Sequence, residues 1–197
     1  MNIVIEIGAF DGEDTEKYAT DNTFVYTFEA NKELAILLEK RFSDKKNVKV
    51  FNKAVGLVNS IVPFYIAENK MSSSLNKLSI HNIENRYEKT INVESIRLDT
   101  FIEDYKINSI DYFHCDAQGS DLDILKSLGD KISIIKKGQV EGSRTENLYE
   151  TENRYFLIIN YLEKNGFIIL NKEEIESRIS WKDLNILFVN KKYHSFL

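Results

Sequence analysis

At 197 residues, 43% apolar and 29% charged, the chain has the composition of a globular protein with room for one well-buried domain. Apolar runs of only a few residues exclude a membrane-spanning helix, and the balance of apolar to charged residues excludes a disordered tail. The net charge of −5 speaks against broad binding to a phosphate backbone, so a nucleic-acid partner is not expected.

The first predicted element is the strand Ile3-Val4-Ile5-Glu6-Ile7, apolar except for Glu6. It breaks at Gly8-Ala9-Phe10-Asp11-Gly12 and restarts as a helix over Glu13 to Ala19. A buried strand that turns on glycines into a helix opens a nucleotide-binding α/β domain, because backbone and helix N-terminus then face one ligand. The turn is not the G-x-G-x-x-G of dinucleotide enzymes. Glu6 and Asp11 would repel a pyrophosphate and suit a cationic ligand such as S-adenosylmethionine. An ordinary tight turn without a ligand stays open here.

Phe24 to Phe28 is the second strand, ending at Glu29. Asn31 reads as a helix N-cap, and Leu34, Leu37, Leu38 and Phe42 as the apolar stripe behind it. Val48 to Phe51 makes a third strand, followed by Asn52, Lys53, Ala54 and Val55. The lysines from Lys40 through Lys45, Lys46, Lys49 and Lys53 read as a solvated helix end and loop.

Residues 57–97 break the β-α rhythm. Ser60 to Ile66 and Ile91 to Leu98 have strand character, with a polar stretch holding Ser72-Ser73-Ser74 between them. An inserted hairpin with a mobile loop over the site is expected. Leu98, Phe101, Ile102 and Tyr105 repeat at helical spacing. Ile110 to Cys115 is a fourth strand, ending at Asp116-Ala117-Gln118-Gly119-Ser120-Asp121, and Leu122, Leu125 and Leu128 mark the next helix. Ile132 to Val140 reads as a fifth strand ending at Glu141. Tyr155, Ile158, Ile159 and Leu162 form a helix closed by Gly166. Phe167 to Leu170 and Leu184 to Val189 are the last strands, whose short connection suggests an antiparallel pair.

The expected fold is therefore α/β: one domain over residues 1–197 with about seven strands, mainly parallel, an antiparallel edge pair, helices on both faces and an inserted strand pair. Such sheets bind ligands beyond their strand carboxyl ends. Four of the first five strand ends carry a carboxylate, and Glu29 is placed to hold the two vicinal hydroxyls of a ribose.

These pieces resemble the FkbM-type methyltransferases, a class I S-adenosylmethionine-dependent family with a Rossmann-like fold. The resemblance lies in Glu6-Ile7-Gly8-Ala9-Phe10-Asp11-Gly12, Phe28-Glu29-Ala30-Asn31, Lys53-Ala54-Val55-Gly56, Ser72-Ser73-Ser74-Leu75, Arg97-Leu98-Asp99-Thr100-Phe101, the stretch from Asp111 to Asp121, and the strand reaching Glu141. They follow in the family's order over roughly residues 3 to 190. The resemblance implies a donor site of Glu6, Gly8, Ala9, Asp11, Gly12, Glu29, Ala30, Asn31, Lys53, Ala54, Val55, Ser73, Asp116 and Gln118. The ribose would sit on Glu29, the adenine near Lys53, Ala54 and Val55, and the methionine portion near the serine loop and Asp116. It also implies methylation of a hydroxyl on a sugar, glycan or natural product. The chain departs from the family pattern at Phe10, His114, Ser120 and Asp121, and opens without the N-terminal extension many relatives carry.

Candidate general bases are Asp116, His114, Asp121 and Glu141. His114 is expected to share a strand face with Asp116. Asp116, Asp121 and Glu141 could also bind a hard divalent cation through oxygen ligands, although no ligand motif demands a metal. His81 and His194 read as surface residues, His81 on the long loop. Tyr149, Arg144 and Trp181 are expected at the rim of an acceptor pocket and Tyr155 in the core. The lone Cys115 permits no internal disulfide, and Glu6 within the first apolar run argues against a secretory leader, so a cytoplasmic setting is expected. Two other readings remain: a non-catalytic S-adenosylmethionine- or nucleotide-binding module, and an NAD-dependent oxidoreductase.

Overall fold

The computed structural model describes residues 1–77, 87–144, 149, 151, 153–177 and 183–194. In chain order the elements are β1 (Asn2–Ile7), α1 (Glu13–Tyr18), β2 (Thr23–Phe28), α2 (Lys32–Arg41), β3 (Val48–Phe51), β4 (Ala54–Val55), β5 (Ser60–Ala67) and β6 (Tyr87–Ile96). There follow α3 (Leu98–Asp104), β7 (Tyr112–Cys115), α4 (Asp121–Ser127), β8 (Lys137–Ser143), α5 (Tyr155–Lys164), β9 (Phe167–Ile169), α6 (Lys172–Ser177) and β10 (Asp183–Asn190).

Seven strands form one sheet in the order β3-β2-β1-β7-β8-β10-β9. β1 pairs in parallel with β2 on one side and β7 on the other, so the strand order reverses between β1 and β7. Only β10 runs against its neighbours, β8 and β9. The insertion folds as a second sheet, β4-β6-β5, with β5 and β6 as the expected hairpin. It sits at the carboxyl end of the main sheet because β4 begins three residues after β3 ends.

The core fills the face that carries α3, α4 and α5, where Ile5, Phe28, Phe113 and Val140 pack against Phe101, Leu125, Ile158 and Leu162. Burying such side chains stabilises by about 1.5–3 kcal/mol each. On the opposite face, Ala9 packs with Leu38 and Phe42 of α2. The α2 cap is as expected: Asn31 Oδ1 accepts from the Glu33 amide at 3.0 Å.

Four expectations need correction. The buried stripe of α2 is Ala35, Leu38 and Phe42, which leaves Leu37 61% exposed. Residues 129–134 form a 3₁₀ turn instead of a strand, because buried Ile132 and Ile135 recur every three residues, the period of that helix. β8 therefore starts at Lys137 and runs to Ser143, so Glu141 lies within a strand and not beyond its end. The β9–β10 connection carries α6, whose single buried apolar residue, Ile175, is too little to register as a helical stripe. The expected loop over the site is described only to residue 77, and His81 and Trp181 lie outside the described residues. No described helix is long and apolar enough to cross a membrane.

The β1–α1 turn depends on Gly8. Its φ is +86°, and a Cβ there would lie 1.9 Å from the Asp116 carbonyl oxygen. The end of β7 therefore crosses the turn with no space between them, while the Gly8 amide donates to the Phe28 carbonyl at 3.0 Å. Gly8→Ala is expected to lower the unfolding free energy by about 2–4 kcal/mol, combining left-handed strain with overpacking. The loss would appear as a lower urea midpoint at unchanged m value.

Candidate functional site

Beyond the ends of β1, β2 and β7 lies a cavity with about 560 Å³ of empty volume. Its walls include Gly8, Glu29, Ala30, Lys53, Ala54, Val55, Ser73, Asp116 and Gln118. Strand order alone dictates this position, since the helices leaving β1 and β7 diverge to opposite faces and open a crevice. Of the other expected donor-site residues, Glu6, Ala9, Asp11, Gly12 and Asn31 stand outside the lining. Asp11 accepts from the Glu13 amide at 3.0 Å and caps α1, and its carbonyl accepts from Arg41 at 2.6 Å. Ala9 is buried against α2, and Asn31 caps that helix.

Glu29 is the charged residue at the centre of one wall. Its Oε2 accepts from the Phe10 amide at 3.0 Å and its Oε1 from the Asn31 amide at 2.7 Å. Phe10 takes a φ of +49°, costly for a bulky residue, and this conformation aims its N–H at the carboxylate. Each oxygen keeps a lone pair for a further donor. Burial pushes the Glu29 carboxyl up to about 7, against the lowering effect of those amides. Beside it, Ala54, Val55, Phe64 and Leu75 make an apolar slot, and Lys53 at its edge pairs with Glu94. Met71 and Ser73 approach from the inserted sheet, where the Ser73 hydroxyl accepts from the Ala67 amide at 3.1 Å. Phe64, Lys70 and Met71 were not singled out from the sequence, and Leu75 stood out only as the end of the Ser72-Ser73-Ser74-Leu75 stretch. Phe64 and Ile66 alternate at period two, which marks a buried strand face but not a ligand.

The far end of the cavity is acidic. Asp116 and Gln118 lie on its wall, and the Gln118 Nε2 donates to Asp116 Oδ1 at 2.7 Å and to Glu141 Oε2 at 3.1 Å. Burial first, and then the neighbouring Asp116, Asp121 and Asp183 carboxylates, hold the Glu141 carboxyl well above the usual range. Asp121 is fully buried. It accepts from the Ala117 amide at 3.3 Å and from Asn153 Nδ2 at 3.1 Å, and burial raises it to about 7. It shapes the β7–α4 turn and does not line the cavity.

His114 and Glu6 are neighbours in the β1–β7 register and lie away from the cavity. Glu6, 1% exposed, accepts from the hydroxyls of Thr27 at 2.7 Å and of Thr15. It ties α1 to the sheet, and burial raises its pKa. His114 Nδ1 lies 3.3 Å from the Tyr18 hydroxyl and Nε2 lies 3.4 Å from the Gln139 amide nitrogen. Burial lowers its pKa, favouring the neutral ring. The expected shared face of His114 and Asp116 does not extend to the cavity, because Asp116 lies past the strand end where alternation stops. Arg144 packs over the Tyr155 ring at 4.9 Å and donates to the Ile175 carbonyl, and Tyr155 is half-buried. Among the described residues, no group of three or more His, Cys, Asp or Glu is arranged to hold a metal ion.

A family model described as the methyltransferase FkbM domain matches residues 6–169. No curated protein matches the chain. Among solved structures, the chain is similar to the methyltransferase FkbM from Methylobacillus flagellatus KT, with a TM-score of 0.58 and 14% identity, over 95% of this chain and 43% of that one. An rRNA methylase from Streptococcus thermophilus aligns with a TM-score of 0.50 and 13% identity, over 96% of this chain and 86% of that one. The N-terminal domain of EvdMO1, determined in the presence of SAH and D-fucose, aligns with a TM-score of 0.50 and 13% identity, over 96% and 75%. These alignments show a shared Rossmann-like class I methyltransferase fold, which the rRNA methylase also carries.

The buried carboxyls set the expected pH response of stability. Glu6, Glu29, Asp121 and Glu141 all have folded pKa values above their unfolded ones, so the native state holds more protons above the ordinary carboxyl range, up to about 7 for Glu29 and Asp121. Their contribution is present below that window and is lost as pH rises through it. His114, lowered by burial, acts the opposite way below its unfolded value of 6.5, as one group against four. The thermal midpoint of the free protein is expected to be higher near pH 5 than near pH 8, and Glu29→Gln should flatten the difference. A midpoint that climbs steadily with pH would contradict this.

Proposed function

The chain belongs to the FkbM methyltransferase family, and we propose that it transfers the methyl group of S-adenosylmethionine to a hydroxyl of a sugar, glycan or natural-product-like acceptor. One observation carries the donor assignment: the buried Glu29 carboxylate, fixed by two backbone amides, stands in a switch-point cavity beside an apolar slot. A carboxylate with free lone pairs at the end of the second strand suits the two vicinal hydroxyls of a ribose. Ala54, Val55, Phe64 and Leu75 suit a flat adenine, and Asp116 at the opposite end suits a cationic sulfur.

S-adenosylmethionine supplies an already activated methyl group on a positively charged sulfur. The protein's part is to align the acceptor with that group and to exclude water, which is worth about 7–11 kcal/mol of the barrier. Asp116 is the carboxylate on the cavity wall at the end away from Glu29, and it is the group proposed to take the proton of an incoming hydroxyl. His114 and Asp121 lie off that wall and serve the turn and the sheet in this reading. A hydroxyl acceptor is favoured over nucleic acid by the net charge of −5 and by the carboxylates at the far end, which would repel phosphates. The EvdMO1 domain, of the same fold, was studied with D-fucose, which is compatible with a sugar acceptor.

Calorimetry with S-adenosylmethionine, S-adenosylhomocysteine and NAD tests the donor. Binding of the first two without NAD is expected, and tight NAD binding alone would reject the reading. Glu29→Ala should weaken both adenosyl ligands by about 1–3 kcal/mol, the scale of hydrogen bonds to a charged group. Turnover against a panel of sugars, glycosides and rRNA fragments then tests the acceptor, with methyl ethers of the sugar panel absent if the acceptor class is wrong.

A further inference from the structure

Gln118 is held at its backbone carbonyl and at both polar atoms of its side chain. It is a non-glycine residue with a φ of +48°, and such strain persists only where the surroundings enforce it. Its carbonyl accepts from the Ser74 hydroxyl at 2.6 Å. Its Oε1 accepts from the Tyr149 hydroxyl at 3.0 Å. Both donors of its amide go to carboxylates, Asp116 and Glu141. The amide therefore has no N–H left for a ligand. Tyr149 is buried, and its ring fills the space over Gly119, where a Cβ would come within 2.6 Å of the ring. The contact leaves the hydroxyl one direction in which to point.

The geometry points to Gln118 and Tyr149 as positioning residues that hold Asp116 against Glu141 at the sulfonium end of the donor cavity. The inference rests on the donor reading above. Two carboxyls bridged by one amide share a proton more readily than they bear two charges. Burial and the neighbouring carboxylates keep the Glu141 carboxyl in its protonated form. Among the described residues, the other titratable groups facing Glu141 are Asp121 of α4, Asp183 of β10, Tyr149 and Cys115, all acidic. Asp121 also faces Cys115 at the end of β7. The guanidinium of Arg144 is turned to the Ile175 carbonyl and the Tyr155 ring. A cationic ligand group is thus what this end of the cavity favours, and more strongly as the shared proton leaves.

S-adenosylmethionine and S-adenosylhomocysteine differ only in the methyl group and the charge on sulfur, so their affinity ratio isolates this end of the site without any acceptor. Calorimetric titration of both ligands should be run from about pH 5.5 to 8.5 on the wild type, Tyr149→Phe and Gln118→Asn. Asparagine tolerates the left-handed backbone but is one methylene too short to bridge the carboxylates. The wild-type preference for S-adenosylmethionine should rise with pH through one midpoint. Both variants should move that midpoint up by about one unit, roughly a tenfold loss of preference near it, with S-adenosylhomocysteine affinity within about twofold of wild type. Glu29→Ala, by contrast, should weaken both ligands equally and leave the midpoint in place. Unchanged ratio and midpoint in both variants would overturn the inference while leaving the donor reading intact. Wild-type protein that binds neither ligand would overturn both. Proton release measured on the wild type in two buffers of different ionisation enthalpy decides the matter even if the variants fail to fold. Release with S-adenosylmethionine only is expected, and equal release with both ligands overturns the inference.

Discussion

The close approach of two backbones governs this molecule. β1 and β7 are adjacent parallel strands, and their ends meet so tightly at Gly8 and the Asp116 carbonyl that no side chain fits between them. Everything chemical is arranged around that crossing. It brings the β1–α1 turn, the end of β2 and the β7–α4 turn within reach of one cavity. It also forces the chain through left-handed conformations at Phe10 and Gln118, neither of them glycine. Each strained residue is held by carboxylates on or beside the cavity wall: the Phe10 amide by Glu29 and the Gln118 side-chain amide by Asp116 and, behind it, Glu141. Backbone strain and buried charge support each other, since the strain aims the donors and the donors make the charge tolerable.

The two faces of the sheet divide their labour. The face carrying α3 to α5 is an apolar core rich in interlocked aromatic rings, such as Phe28, Phe51 and Phe101 at 4.9 to 5.2 Å. The α1 face mixes polar groups into the sheet, with Glu6, Thr15, Thr27 and His114 buried near its centre. Rigidity comes from the first and orientation from the second, because Glu6 reaches two hydroxyls on separate elements and so fixes the helix that follows the donor turn.

Much of this was legible in the sequence, for identifiable reasons. Apolar strands of the sheet interior read as short hydrophobic runs, so β1 and β2 stood out, and the rule that ligands sit at strand ends singled out Glu29 and Asp116, which line the cavity. The misplacements share another cause. A period of three in Ile132 and Ile135 was taken for part of a strand, because the run is short and wholly apolar. His114 was assigned to the site by its spacing from Asp116 and Glu6 by its charge beside the turn and by the family resemblance, yet alternation along β1 and β7 sends both toward α1, and the turn beyond β7 breaks that alternation before Asp116. Tyr149 carried no local signal for its bond to Gln118, since the partner lies 31 residues earlier in the chain.

The inserted sheet is joined to the main one by more than its two chain connections. Ser74 and Asn76 bond the main chain at Gln118 and Gly119, and Asn76 also reaches the Ser120 hydroxyl at 2.8 Å. Insertion and turn therefore form one mechanical body, although 40 or so residues separate them in sequence. A chimaera that exchanged the insertion between homologues would inherit a mismatched seam unless residues 117–120 travelled with it.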